Sequence, residues 1–359
     1  MARKRNRKRG ASARRPPPTV AATAVNAPKA DPQAGRPPLE LSGAAALPEP
    51  AGRVVEEAQP PAGAAYPLIL RGSSYAWWRS LLGVGLALLL YLLMTPAVSS
   101  MVIGVGYFIE RPDQTPAEYA AAGYRFERPV GMLAQNLAIA SLTVVAWFVV
   151  LVVHHVRPRW LSSVQPRLRW RYLLLCVGVA AVLLNGIVWL SSLVGDPPAV
   201  QPQPQLAAFL VVIVLTSPLQ AAAEEYLFRG YLLQALGSLV ANPWFGVVVS
   251  SVLFAFFHGG QNLPLFVNRL AFGLLAAALV LRTGGLEAAI GAHVVNNLSA
   301  YTTAAFTSSI ATLRGVRQIS WLESGVNVVG FALFALAAIL LARRLRLRTT
   351  TPTEAAVTP

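Results

Sequence analysis

From Trp77 onward the chain is written in long apolar runs separated by short polar breaks, without the two-residue alternation of half-buried strands. The runs fall near residues 80–108, 130–153, 172–194, 206–237, 244–262, 264–282, 286–306 and 323–342. About 20 apolar residues in helical form cover the hydrocarbon core of a bilayer. The pattern therefore predicts an all-α, polytopic membrane protein of about eight transmembrane helices over residues 76–342. Both ends break the pattern. Residues 1–75 begin MARKRNRKRG and continue in Pro, Ala and Gly with no apolar face, which reads as a disordered basic cytosolic tail. No apolar stretch follows the basic start, so it does not read as a secretory signal. Residues 343–359 read as a second cytosolic tail.

Composition supports the membrane class: 55% of residues are hydrophobic, 13% are charged, and the mean hydropathy is +0.53. The net charge of +15 belongs mainly to tails and loops, so it speaks of topology and anionic lipid and points to no specific nucleic acid. Basic residues concentrate in 1–15, 154–171 and 343–348, whereas GDPPAVQPQPQ has none. Eight spans with both termini cytosolic put all three basic segments inside, with Arg314 and Arg317 as a mild exception. Trp77, Trp78, Trp160 and Trp170 suit interfacial anchors, and His154 and His155, at a basic helix end, are expected at the surface. Only Lys4, Lys8 and Lys29 compete with arginine, which with abundant Ala, Gly and Pro suggests a GC-rich bacterial genome, so the expected location is a bacterial plasma membrane. Cys176 is the one cysteine, which excludes an intramolecular disulfide. No internal repeat supports an inverted-repeat transporter.

Of the carboxylates, only Glu224 and Glu225 lie well inside an apolar run. An acid at a helix centre costs roughly 2.5–3.5 kcal/mol on insertion scales, so two in succession need a reason. Glu225 and Arg229 are i,i+4 and can pair, which leaves Glu224 to face elsewhere. A turn is expected at GSLVANPW, with Ala241 at its middle; Glu224 and His258 are then equally far from it and reach the same depth in an antiparallel hairpin. Gly259 and Gly260 would let the helix loosen there. A carboxylate and an imidazole at matched depth can activate water. His293 and Asn297 share a helix face, and Asn268, Arg269 and Asn296 add polarity nearby. Buried polar residues also tie helices together, the preferred reading for Asn296.

Several chemistries lack their residues. There is no H-E-x-x-H, no aspartate inside a span, and no G-x-S-x motif at Ser250 or Ser251. The order Glu224-Glu225-x-x-x-Arg229, Phe254-x-x-x-His258, His293-x-x-x-Asn297 resembles the three motifs of the CAAX-protease and bacteriocin-processing (CPBP, Abi) family of intramembrane endopeptidases, over roughly residues 170–305. The Arg229-Gly230-Tyr231-Leu232 continuation is similar too. The resemblance implies an eight-helix membrane hydrolase with an intramembrane cavity. In it Glu224 activates water with help from His258, His293 and Asn297 stabilise the oxyanion, and Glu225 and Arg229 support the site. The cofactor is either none or one zinc ion, with Glu224, His258 and His293 as candidate ligands. The implied partners are the bilayer and a substrate that is a peptide precursor, such as a bacteriocin, or a membrane protein. The other readings are a catalytically silent scaffold or immunity protein on the same fold, and a proton-coupled transporter.

Overall fold

The computed structural model describes residues 58–192 and 199–353. Residues 1–57 of the first expected tail, the basic segment 1–15 among them, and 354–359 of the second lie outside the described residues. All regular structure among the described residues is helical. In chain order the helices are α1 (Trp77–Glu110), α2 (Pro116–Tyr124), α3 (Pro129–Ala140), α4 (Leu142–His154), α5 (Trp170–Ser192), α6 (Leu206–Glu225), α7 (Leu233–Val240), α8 (Pro243–Phe256), α9 (Leu263–Thr283), α10 (Glu287–Thr307), α11 (Ile310–Gly315) and α12 (Trp321–Arg344). A π-helical stretch, Tyr226–Leu232, joins α6 to α7 without a break.

Six stretches are long and apolar enough to cross a membrane: Trp77–Glu110, Pro129–His154, Trp170–Ile187, Leu206–Val240, Leu263–Thr283 and Trp321–Arg344. The protein is thus a multi-pass membrane protein. The expected count of eight is not reached by this measure, for two physical reasons. α8 stops after 14 residues, because Gly259 takes a left-handed conformation (φ 79°) and the chain turns at His258 instead of continuing to 262. α10 has 21 residues, but its helical face carries His293, Asn296 and Asn297 and its apolar character falls short. The outward faces of α1, α5 and α12 carry bare Leu, Val, Phe and Trp side chains, as lipid contact requires.

At the core α10 packs on α5 and α6, α3 lies between α1 and α6, α8 between α7 and α9, and α12 against α5 and α9. The α7–α8 turn falls at Ala241, as expected, with Ala241 left-handed (φ 57°) and Asn242 capping α8 through Trp244 N–H. One end of the bundle is closed by chain assigned to the tails in sequence. Tyr66, Ile69 and Leu70 of a short 3₁₀ turn (Tyr66–Arg71) are fully buried, and Ala65 bridges to Thr350. Part of each expected tail is therefore packed chain, at Ala58, Tyr66, Ile69 and Leu70 on one side and Thr351 on the other. Two surface expectations are corrected. His154 is buried, its Nε2 3.1 Å from the Tyr231 hydroxyl, because α1 leaves room beside it at Gly83. Trp160 is buried beneath the same closed end, while Trp77, Trp78 and Trp170 remain exposed.

Candidate active site

Side chains from α1, α3, α6 and α8 to α12 line a cavity of about 410 Å³. Glu224 reaches its wall from α6, His258 from the turn after α8, Asn268 and Arg269 from α9, and His293, Asn296 and Asn297 from α10. Phe228, Phe254, Phe257 and Phe272 fill the space between them. The two histidines and Glu224, from three separate sequence motifs, therefore share one chamber.

The polar side chains form an ordered chain of donors. Asn296 Nδ2 donates to Asn297 Oδ1 (3.2 Å), Asn297 Nδ2 to Gln220 Oε1 (2.8 Å), and Gln220 Nε2 to Glu224 Oε1 (2.8 Å). All three bonds point their hydrogens toward the Glu224 carboxylate, so each polarises the next. Gln220 was not singled out in sequence. The signal was available: Gln220-x-x-x-Glu224 puts an amide one turn before the acid on one helix face.

Behind Glu224 lies a second layer. Arg229 Nη1 donates to Glu225 Oε1 at 3.0 Å, the i,i+4 pair expected from the spacing, with both side chains fully buried. The same Oε1 lies 2.7 Å from His293 Nδ1. His293 Nε2 faces Glu224 Oε2 at 3.4 Å. His293 therefore stands between the two glutamates, a contact that i,i+4 reasoning along α10 alone does not show. If Nδ1–H donates to Glu225, a second hydrogen on Nε2 makes His293 an imidazolium that faces both carboxylates. The Arg229 guanidinium lies 4.0 Å from the Phe254 ring centre and 5.4 Å from that of Phe272, so aromatic faces cover the side not used by Glu225. The π-helical stretch that carries Arg229 starts directly after Glu225. Such widened turns recur at functional sites.

His258 is held by its own backbone: Nδ1 lies 2.7 Å from the Phe254 carbonyl oxygen. A carbonyl only accepts, so Nδ1 carries the hydrogen and Nε2 is the atom left for other work. The Phe254-x-x-x-His258 spacing is what makes this bond possible. Asn297 has one amide hydrogen on Gln220 and a second left over.

Glu224, His258 and His293 were the candidate zinc ligands. Among the described residues no three His, Cys, Asp or Glu side chains converge in a way that could hold a metal ion. The bonds at His293 Nδ1 and His258 Nδ1 would leave both Nε2 atoms for a metal, but the three side chains do not converge on one point. Their placement does not fit the metal, and no step is derived through one.

Residues 204–299 match the family model described as type II CAAX prenyl endopeptidase Rce1-like. The uncharacterised protein YyaK of Bacillus subtilis (strain 168) is 36% identical over 99 residues, which is 26% of this chain and 32% of that relative. The match thus spans about a third of the relative's length. The matched stretch contains Gln220, both glutamates, Arg229, both cavity histidines and Asn297, and over it the chain is similar to the type II CAAX prenyl endopeptidase Rce1-like family.

Proposed function

We propose that the protein is an intramembrane endopeptidase that hydrolyses a peptide bond in the Glu224 cavity. The observation that carries this reading is the placement of Glu224 and His258 on one wall-enclosed chamber, with Glu224 held from behind by Gln220 and His293. Water lodged between Glu224 and His258 gives a proton to the Glu224 carboxylate as its oxygen adds to the scissile carbonyl carbon. His258 Nε2 accepts a hydrogen bond from that water and orients its lone pair. The carbonyl π bond opens to a tetrahedral oxyanion. The spare amide hydrogen of Asn297 and the Nε2–H of His293 are the donors for it. Glu224 then returns the proton to the amide nitrogen, the C–N bond breaks, and a carboxylic acid and an amine leave. Glu225 and Arg229 act through His293: Glu225 holds its Nδ1–H and Arg229 holds Glu225, so they are positioning residues.

The substrate in this reading is a peptide precursor or a membrane protein segment. Both termini are assigned to the cytosol. The closed end of the bundle gathers Arg157, Arg159, Arg167, Arg169 and Arg171 with Arg343, Arg344, Arg346 and Arg348, while the other end mixes arginines with Glu110, Asp113, Glu118, Glu127 and Glu323. Reporter fusions after Asp113 and after Arg348 are expected to report opposite sides; the same side for both would sink this orientation.

The experiment on function compares membrane peptides from cells with the wild-type chain and with Glu224→Gln. The variant keeps volume and the Gln220 contact and loses the base. Expected is a set of cleavage products present only with wild type, at equal amounts of folded protein. Identical peptide sets, in the presence of a substrate-bearing host, would remove the peptidase reading.

A further inference from the structure

Arg269 stands inside the apolar span Leu263–Thr283, where a cation needs a reason, and the water-activating reading makes no use of it. It lines the cavity together with Arg314 and Arg317. Glu224 is the one carboxylate on the same wall. None of the three arginines makes an ion pair with a carboxylate among the described residues. Arg269 Nη1 donates to Gln261 Oε1 (2.7 Å) and the His258 carbonyl (3.4 Å), both neutral. Arg314 rests over the Phe126 ring at 4.9 Å, and its buried Nε has no hydrogen-bond partner. Arg317 Nη1 donates to the Arg314 carbonyl at 3.1 Å. Asn268 Nδ2, next to Arg269, is also buried and unbonded. The chamber thus carries a cationic wall with donors to spare, and guanidinium forks fit a carboxylate in two-point contact.

We propose that Arg269, Arg314 and Arg317 form a subsite that binds a carboxylate of the substrate peptide in the Glu224 cavity. The proposal rests on the peptidase reading and names the substrate chemistry of that site. Helix geometry sets the distance. Phe272 packs on His293 at 5.1 Å between ring centres, and Arg269 precedes it by three residues, about 4.5 Å of rise. Tyr301 lies eight residues beyond His293, about 12 Å of rise, and lines the cavity with Leu313 and its neighbour Arg314. An extended peptide advances about 3.3–3.6 Å per residue, so the carboxylate lies on the order of one to four residues beyond the scissile bond. Two sources share this chemistry: a free C-terminus and an acidic side chain.

The test is binding, measured by fluorescence anisotropy with the full chain in neutral detergent. The probes are a dye-labelled apolar hexapeptide with a free C-terminal carboxylate, the same peptide as its C-terminal amide, and an amidated version ending in aspartate. Expected is at least about tenfold tighter binding of the free acid than of the plain amide. That preference is expected to collapse in Arg269→Gln and in Arg314→Gln, while the plain amide binds these variants as it binds wild type. Arg269→Lys, which keeps the charge and loses the fork, is expected to retain part of the preference and controls for folding. If the aspartate amide matches the free acid, the subsite takes a side-chain carboxylate equally well; if it matches the plain amide, the C-terminus is the source. Equal binding of acid and plain amide, or a preference untouched by both glutamine variants, overturns the proposal. So does loss of the preference on adding phosphatidylglycerol at a level that leaves plain-amide binding intact, since the arginines would then hold lipid phosphate. A failed Glu224→Gln peptide comparison with the acid preference intact would remove the peptidase reading and leave the subsite standing.

Discussion

Arg169 and Arg229 are both withdrawn from water and both face a glutamate, yet their surroundings differ. Arg169 meets Glu287 in a two-point contact, Nε to Oε1 at 2.8 Å and Nη2 to Oε2 at 2.5 Å, and its Nη1 donates to the Thr283 carbonyl at 2.8 Å. The Arg169 backbone N–H adds a bond to Glu287 Oε1 at 2.9 Å. Every guanidinium nitrogen is used. Arg229 makes one bond to Glu225, and its Nε and Nη2 have no hydrogen-bond partner, nor has Glu225 Oε2. Phenylalanine rings take the place of the missing acceptors. The first pair is a completed lock between the α5 entrance and the start of α10. The second is under-bonded, and its glutamate is shared with His293. A fully satisfied pair holds helices together, whereas in the second pair one oxygen, Glu225 Oε1, serves both Arg229 and His293.

Removing one partner of each pair separates these descriptions. Glu287→Gln strands Arg169 in a dry setting, weakens the two-point contact and removes an acid from the first turn of α10, so a loss of about 3–5 kcal/mol is expected. It should appear as a large fall in the detergent melting temperature and in yield, with peptidase activity tracking the folded fraction. Next in size is Gly285→Ala. A Cβ there would lie 2.4 Å from both Arg169 Nη2 and Glu287 Oε2, forcing the lock apart at a cost of about 2–3 kcal/mol. Glu225→Gln comes third, at about 2 kcal/mol, because the rings still cover Arg229. Here activity is expected to fall well beyond the folded fraction, since a neutral amide is a weaker acceptor for His293 Nδ1–H and holds the ring less firmly. If Glu225→Gln melts lower than Glu287→Gln, or loses activity only in proportion to folding, the two pairs are not different in kind.

The same contrast shows what could be read from the chain alone. Glu225 and Arg229 are i,i+4 inside an apolar run, so both their burial and their pairing were visible. So was the fold class, because runs of 20 apolar residues have few other uses. Glu287 was not visible as a buried acid: it stands at a helix start beside a loop, and its partner is 118 residues away in a segment that reads as surface. Local periodicity carries no information about such contacts. The chamber was legible in part. The hairpin turn at Ala241 and the shared motifs brought Glu224 and His258 together, but the position of His293 between the glutamates depends on how α10 is rotated against α6. Gln220 was overlooked because a single glutamine in a helix reads as ordinary. The shortening of α8 was half legible: Gly259 and Gly260 marked a loosening, and the structure turns it into an end.

The smallest effect expected from this comparison is at Gly273, the counterpart of Gly285 beside the other arginine. A Cβ at Gly273 would lie 3.0 Å from Ser251 Cβ, 3.2 Å from Ser251 Cα and 3.3 Å from Arg229 Nη2. These are tight contacts rather than overlaps, and Nη2 has no hydrogen bond to lose. α8 and α9 can part by a few tenths of an ångström while the Arg229–Glu225 bond, made through Nη1, stays intact. Gly273→Ala is therefore expected to cost about 1 kcal/mol or less, the low end for overpacking. Its melting temperature should lie between wild type and Glu225→Gln, and its activity per folded molecule should stay near wild type. A loss as large as that of Gly285→Ala would mean that the space around Arg229 is as fully committed as the space around Arg169, and the distinction between lock and poised pair would not hold.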